Sequence, residues 1–402
     1  MPESVHGAKD IRLFTFNIIG LIALPCIFSG NPCIESFAER KPFINTADTP
    51  VLPQLPVTDT ISFSIVGDMM VGSSYPSSLL LPVDTEGNIL QHAMPFLQCT
   101  DLRIGNLESA VSDSAAVYKQ CGMTQCFAFR TPVKCAQWYK EAGFEYLNLS
   151  NNHSFDFGST GVQHTLAFLR NNNIRTSGVT QHPIDTLTIR NVRIGFVSFA
   201  PHNNCLDMNN DSVVQAYIAQ VRPMCDLLVV FFHGGAEGAQ RMHTPRKREI
   251  FYGQNRGDVV HFSRLCVDAG ADMVIGSGPH VVRGMEQYKK KLIAYSLGNF
   301  ATYGQFNLKH PSNVAPLLQV KITNKGTLVD HQVLSFIQEG EGVPKPDTAQ
   351  QAFKLIRSLS KQDFGYNEVK ETWAPEAVLP AVEATSLQAA VGRLQTARCV
   401  SL

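Results

Sequence analysis

The sequence carries no excess of either charge. Lys+Arg and Asp+Glu are both 34, so the formal net charge is zero. Nucleic-acid binding usually shows a basic excess, so no nucleic-acid partner is expected. Only one basic run stands out, Arg241–Arg248 (RMHTPRKR), which reads as a solvated loop or an anion contact. Long apolar runs are also scarce. The one candidate, Leu13 to Phe28, is broken by Thr15, Asn17, Gly20 and Pro25. It falls short of the about 20 apolar residues that a membrane span needs. There is no Gly-x-Ser-x-Gly elbow, and Gly276-Ser277-Gly278 only mimics one. There is no G-x-x-x-x-G-K phosphate loop. The Cys121-x4-Cys126 spacing lacks a second pair, so it does not read as a zinc site. No internal repeat is found.

What is present is a chain of 402 residues with 44% hydrophobic content, enough for a sizeable core. Lys9 and Arg12 precede the apolar run, which fits a secretory signal cut near Ser36-Phe37-Ala38, or at Ile27-Phe28-Ser29. Residues 1–38 are therefore read as a signal peptide or a retained signal anchor, and residues 39–60 as a linker. The protein is expected to be exported: periplasmic or extracytoplasmic, or anchored through this segment. Ten cysteines agree with an oxidising compartment. Cys121 and Cys126 lie close enough for a loop disulfide, while Cys225 and Cys266 read equally well as buried thiols.

From residue 61 strands alternate with helices, so the fold class is α/β. Strands are expected at 61–66, 102–104, 144–149, 227–232, 273–275 and 292–295. Helices are expected at 132–142, 158–173, 211–221 and 257–269. Hairpins are expected at 187–199, turning at Asn191, and at 317–336. Asp211 or Ser212 is the expected cap of its helix. Residues 61–340 form the main domain and 341–402 a peripheral C-terminal segment.

Polar groups collect where these strands end: Asp68, Glu108, Asn152-His153, His233, His280 and Asn299. In open α/β sheets ligands bind at the carboxyl ends of strands. Carboxylates, an amide and imidazoles suit zinc, manganese or iron rather than a thiolate site. Singly, each could be a satisfied core polar group. Six at strand ends, most beside glycine, point to one site.

Six motifs stand in order: GDMMVG, GNLESAVS, LSNNHSFDFG, FFHGGAEG, GADMVIGSGPHVVRG and KLIAYSLGNFATYG. Together they resemble the CapA family of poly-γ-glutamate capsule-synthesis proteins (PGA_cap), over about residues 61–336. That family in turn resembles calcineurin-like metallophosphoesterases. The resemblance implies a two-sheet α/β sandwich in the bacterial envelope, with one or two divalent ions (Mn, Zn or Fe). It implies an envelope polymer such as poly-γ-glutamate, or a phosphoester, as substrate, and capsule-synthesis membrane proteins as partners. Carried over, Asp68, Glu108, Asn152, His233 and His280 match metal ligands, and His153 the imidazole that protonates a leaving group. Asp156, Glu237, His243, Arg283 and Asn299 are expected at the substrate or behind the ligands. Two positions depart from the pattern. Met70 replaces the histidine of Asp-x-His, and Gly278 replaces the first histidine of His-Pro-His. His202 or His243 is left to replace a ligand. The implied function is a metal-dependent hydrolase, phosphoesterase-like, acting on the polymer. The alternative is a non-catalytic accessory protein that holds the anionic polymer during assembly or export.

Overall fold

The computed structural model describes residues 60–83, 87–120 and 127–371. The expected leader and linker, the Cys121–Cys126 pair and the tail after 371 lie outside the described residues. Cys205, Cys225 and Cys266 are unbridged thiols. Among the described residues no helix is long and apolar enough to cross a membrane.

Two mixed sheets stack face to face. The first has Thr60–Met70 at its centre, between parallel Leu102–Leu107 and antiparallel Val314–Thr323. Tyr146–Asn148 and Arg175–Ser177 extend it on one side, Leu328–Glu339 and Val343–Pro346 on the other. The short strand Asn299–Thr302 also joins Thr60–Met70, in parallel. The second sheet runs Met285–Tyr288, Lys291–Ala294, Met273–Ser277, Leu227–His233, Val192–Ala200, Ile184–Ile189.

The side-chain period of two sorts each strand between layers. Leu227, Val229 and Phe231 point into the core shared with Ile61, Phe63 and Ile65 of the first sheet. Leu228, Val230 and Phe232 point outward under helices Asp211–Val221 and Val259–Ala269. This explains why 227–232 is apolar throughout: it is buried on both faces. On the other side, helices Val133–Glu141 and Gly158–Asn171 cover the outer face of the first sheet through Ala136, Tyr139, Val162 and Leu169. The result is the expected two-sheet α/β sandwich, in four layers. Tyr146 ties the two sheets together: its ring stacks on Phe196 at 3.9 Å and its hydroxyl lies 3.0 Å from Ser198 Oγ.

Several boundaries differ from expectation. The strands at 60–70 and 227–233 run on through Asp68 and His233, and the strand at 102–107 runs on to stop just before Glu108. Parallel neighbours keep Asp68 and His233 in the ladder, on both sides for Asp68 and on the Met273–Ser277 side for His233. The helix at 211 is capped by Asn210, whose side chain accepts from Val213 N–H. The helix expected from 257 starts at Val259, capped by Asp258, because Gln254–Gly257 pairs as a strand with Glu249–Phe251. The segment after residue 341 is not wholly peripheral. Helix Gln351–Phe364 places Ala352, Phe353, Ile356 and Leu359 in the inter-sheet core cluster.

Candidate metal centre

Asp68 sits between two parallel neighbours, in register with Asn106 on one side and Asn299 on the other. The approach is tight. A Cβ on Gly67 would fall 1.9 Å from Gly298 O, so only glycine fits there. Asp68 N–H donates to Gly298 O at 2.8 Å.

Asn106, which the sequence reading did not single out, is the hub behind the buried carboxylates. Its Nδ2 donates to Asp68 Oδ1 at 2.8 Å and to Glu108 Oε2 at 3.1 Å. Its Oδ1 accepts from Asn148 Nδ2 at 2.8 Å and Asn151 Nδ2 at 3.1 Å. It thus spaces two buried carboxylates and locks the Asn151-Asn152-His153 turn to them. Its signal was visible in GNLES, but an amide inside a strand reads as packing.

Glu108 Oε1 is buried and has no hydrogen-bond partner. It lies 3.8 Å from His233 Nε2 and 3.6 Å from His280 Nε2. Burial, then the Asp68 charge, push the Glu108 carboxyl well above its usual range. His233 is fully buried, with Nδ1 3.0 Å from Ser277 Oγ, whose hydroxyl donates to Phe232 O. That leaves Nδ1 as the protonated nitrogen and Nε2 with its lone pair buried and unpartnered. Burial, reinforced by Arg256, holds the ring neutral. His280 Nδ1 donates between Asp68 Oδ2 at 3.0 Å and Asn299 Oδ1 at 3.1 Å. Burial opposes a charge on His280, but Glu108 and Asp68 outweigh it and raise the ring to about 10. Asn152 Oδ1 is a third buried atom without a partner.

These residues fit a divalent cation. One ligand atom each from Asp68, Glu108 and His233 lies within 4.8 Å of the others. Bonds of about 2.1 Å put neighbouring donors roughly 3–4 Å apart, which the Glu108–His233 and Glu108–His280 separations match. An unpaired buried acceptor costs about 1–3 kcal/mol. Glu108 Oε1, Asn152 Oδ1 and His233 Nε2 each meet that condition, and a cation between Asp68, Glu108 and His233 would satisfy the first and the third.

His153 lies beside this set. Its Nδ1 is 2.7 Å from Asp156 Oδ2, and Phe129 packs on its ring at 4.1 Å. Asp156 also accepts from Phe129 N–H at 2.9 Å and pairs with Lys119 at 2.8 Å. Burial lowers the His153 pKa despite Asp156. The turn that presents it is an Asx-turn on Asn151, whose Oδ1 accepts from the His153 and Ser154 N–H groups.

Glu237 Oε2 reaches 4.0 Å from His280 Nε2, and its Oε1 pairs with Arg256 at 2.9 Å. Arg256 is buried and also went unremarked in the sequence. Its Nη2 has no partner, so a cationic donor stands beside the imidazoles. Two expected residues turn elsewhere. Arg283 is fully buried and gives both terminal nitrogens to Glu249, at 2.8 Å each. His243 is exposed and bonds Asp363 at 2.8 Å. Both spend their polar atoms away from Asp68, Glu108 and His233.

The family comparison bears on the same stretch. Residues 62–303 match the family described as bacterial capsule synthesis protein PGA_cap, and that span holds every clustered residue above. The chain belongs to the PGA_cap family. The capsule biosynthesis protein CapA of Bacillus anthracis is 28% identical over 326 residues, covering 75% of this chain and 74% of that one. The PGA biosynthesis protein CapA of Bacillus subtilis (strain 168) is 26% identical over 322 residues, covering 75% and 78%. A putative 5'-nucleotidase from Staphylococcus aureus has TM-score 0.40 at 14% identity, covering 75% of this chain and 58% of that one. A hypothetical protein from Thermus thermophilus has TM-score 0.43 at 12% identity, covering 68% and 99%.

Within this PGA_cap chain the two departures have structural counterparts. Met70 is fully buried. Gly278 has φ +115°, and a Cβ there would meet Gly234 N at 2.8 Å and Gly234 O at 2.9 Å. No side chain fits at 278 on this backbone.

Proposed function

We propose that this protein acts in capsule or envelope-polymer synthesis as a metal-dependent hydrolase or transferase of the phosphoesterase type. Poly-γ-glutamate, or another anionic envelope polymer or phosphoester, is the substrate. The protein is exported through its N-terminal segment and works with capsule-synthesis membrane proteins. The observation that carries the reading is the trio of buried, unpartnered donor atoms on Glu108, Asn152 and His233.

Asp68, Glu108, Asn152, His233 and His280 would hold the cation. A divalent cation supplies Lewis acidity toward an acyl or phosphoryl oxygen and acidifies water near neutral pH. Ser277 fixes the tautomer that points His233 Nε2 at the site. Asp156 pins Nδ1 of His153, so that ring exchanges its proton with a leaving oxygen or nitrogen at Nε2. Arg256, paired with Glu237 through Nη1, adds buried positive charge that favours an anionic substrate.

The accessory reading has one observation in its favour: Met70 and Gly278 stand where two imidazoles are expected. Elemental analysis separates the two. The protein is compared with the Asp68→Ala, His233→Ala double variant after exposure to Mn, Zn or Fe. Near-stoichiometric metal, lost in the variant, supports the hydrolase. Absence of metal from both, in folded protein, moves the site to polymer holding.

A further inference from the structure

The position of His202 answers how the centre makes up for Gly278. His202 follows the strand Val192–Ala200, which lies parallel to Leu227–His233 with Phe199 opposite Phe232. That register carries the chain past Ala200 alongside His233. The His202 ring stands 6.1 Å from the His233 ring, centroid to centroid, and the His280 ring stands 6.2 Å from it. Two imidazoles sharing an ion through bonds of about 2.1 Å have ring centres roughly 5–6.5 Å apart. The two neighbours differ in surroundings. His280 is tied to Asp68 and Asn299. His202 lies within electrostatic reach of Arg256, His153 and Lys119, on the Asn152–His153 side. Its Nε2 is buried and has no hydrogen-bond partner, as do Asn152 Oδ1, His233 Nε2 and Glu108 Oε1. Two of these groups flank His233 directly: Glu108 Oε1 lies 3.8 Å from its Nε2, and the His202 ring stands beside its ring. His243, the other candidate for this part, is held by Asp363 at the surface.

We propose that His202 is the imidazole ligand on the Asn152 side of the centre. It would complete there a set with Glu108, Asn152 and His233. Asp68 and His280 would then belong to the opposite side, with Glu108 and His233 between. The inference rests on the metal-centre reading and assigns a ligand that the motif positions do not contain. It also accounts for a chain that keeps a glycine at 278: the imidazole arrives from the neighbouring strand end.

The test uses the full-length protein with Mn2+ or Zn2+ alone as probe, in the parent, His202→Gln, His202→Ala and a His243→Gln control. Affinity is read by chelator competition, and imidazole nitrogens are counted by pulsed EPR of the Mn2+-loaded protein. Loss of a true ligand is expected to weaken binding at least about 100-fold, the upper end of what outer-sphere partners cost. One imidazole should vanish from the count, with His243→Gln matching the parent. Should both His202 variants bind within about threefold of the parent with the count unchanged, His202 is not a ligand, whereas the metal-centre reading survives. A folded parent that binds neither ion overturns both. Where the variants do not fold, exchange of the imidazole C2 hydrogens in the parent decides. Slower exchange at His202 on adding the ion supports ligation, and an unchanged rate overturns it.

Discussion

Replacing Glu108 with glutamine separates the cation's effect on stability from that of the fold. Glu108 is fully buried, and burial together with Asp68 disfavours its charge. Glutamine keeps the shape and can still accept from Asn106 Nδ2, but it removes one of two adjacent negative charges. Without added cation the variant should therefore be at least as stable as the parent. With cation at a hundred times its dissociation constant the parent gains about 2.7 kcal/mol. An unfolding entropy of about 2.1 cal/mol/K per residue over roughly 300 residues converts this to a Tm rise of about 4 °C. If Glu108→Gln loses a hundredfold in affinity, the same concentration returns about 0.4 kcal/mol, a rise under about 1 °C. Scanning calorimetry of chelator-treated protein with graded Mn2+ or Zn2+ measures both. A parent Tm indifferent to either ion, or a variant that rises as far as the parent, would refute the reasoning.

Two further outcomes follow from the same geometry. Arg283→Met strips Glu249 of both its ion-pair bonds while leaving the carboxylate buried, so urea denaturation should show a loss of about 3–5 kcal/mol. Cation affinity should stay at the parent value, and adding Glu249→Leu should recover much of the stability. The buried His331 has its pKa lowered to about 4, chiefly by burial. The unfolded chain, with a histidine pKa near about 6.5, binds a proton that the folded ring refuses, so stability should fall as pH drops from about 6.5 toward about 4. His331→Gln should flatten the urea midpoint across that window; an unchanged slope would show that other groups carry it.

The layer order was readable because burial on both faces leaves continuous apolar strands such as Leu227–Phe232 and because Gly270 stops its helix where a turn is needed. The polar strand ends were readable for the same reason: Asp68, Glu108 and His233 interrupt otherwise apolar ladders. What escaped was contact between distant segments. Asn106 matters through bonds to Asp68 and Asn148 on two other strands and to Asn151 in a turn, none of which shows in local spacing. Arg283 and Arg256 look alike in sequence, yet only Glu249 makes the first a buried structural pair. The helix Gln351–Phe364 falls in the segment expected to be peripheral because its apolar face has meaning only once the strand Leu328–Glu339 and the sheet edge at Met285–Tyr288 are in place for it to cover.

The strand that carries Asp68 is the first of the domain to be synthesised and sits in the middle of its sheet, with Val314–Thr323 as its antiparallel partner. Its ladder therefore stays open until nearly the whole domain has been made. Closing so long a loop is slow, and the apolar edge is exposed while it waits. A chain with this topology resists finishing its fold on the ribosome. That order would suit the export proposed above, since the chain could travel as an unfolded thread before its sheet closes.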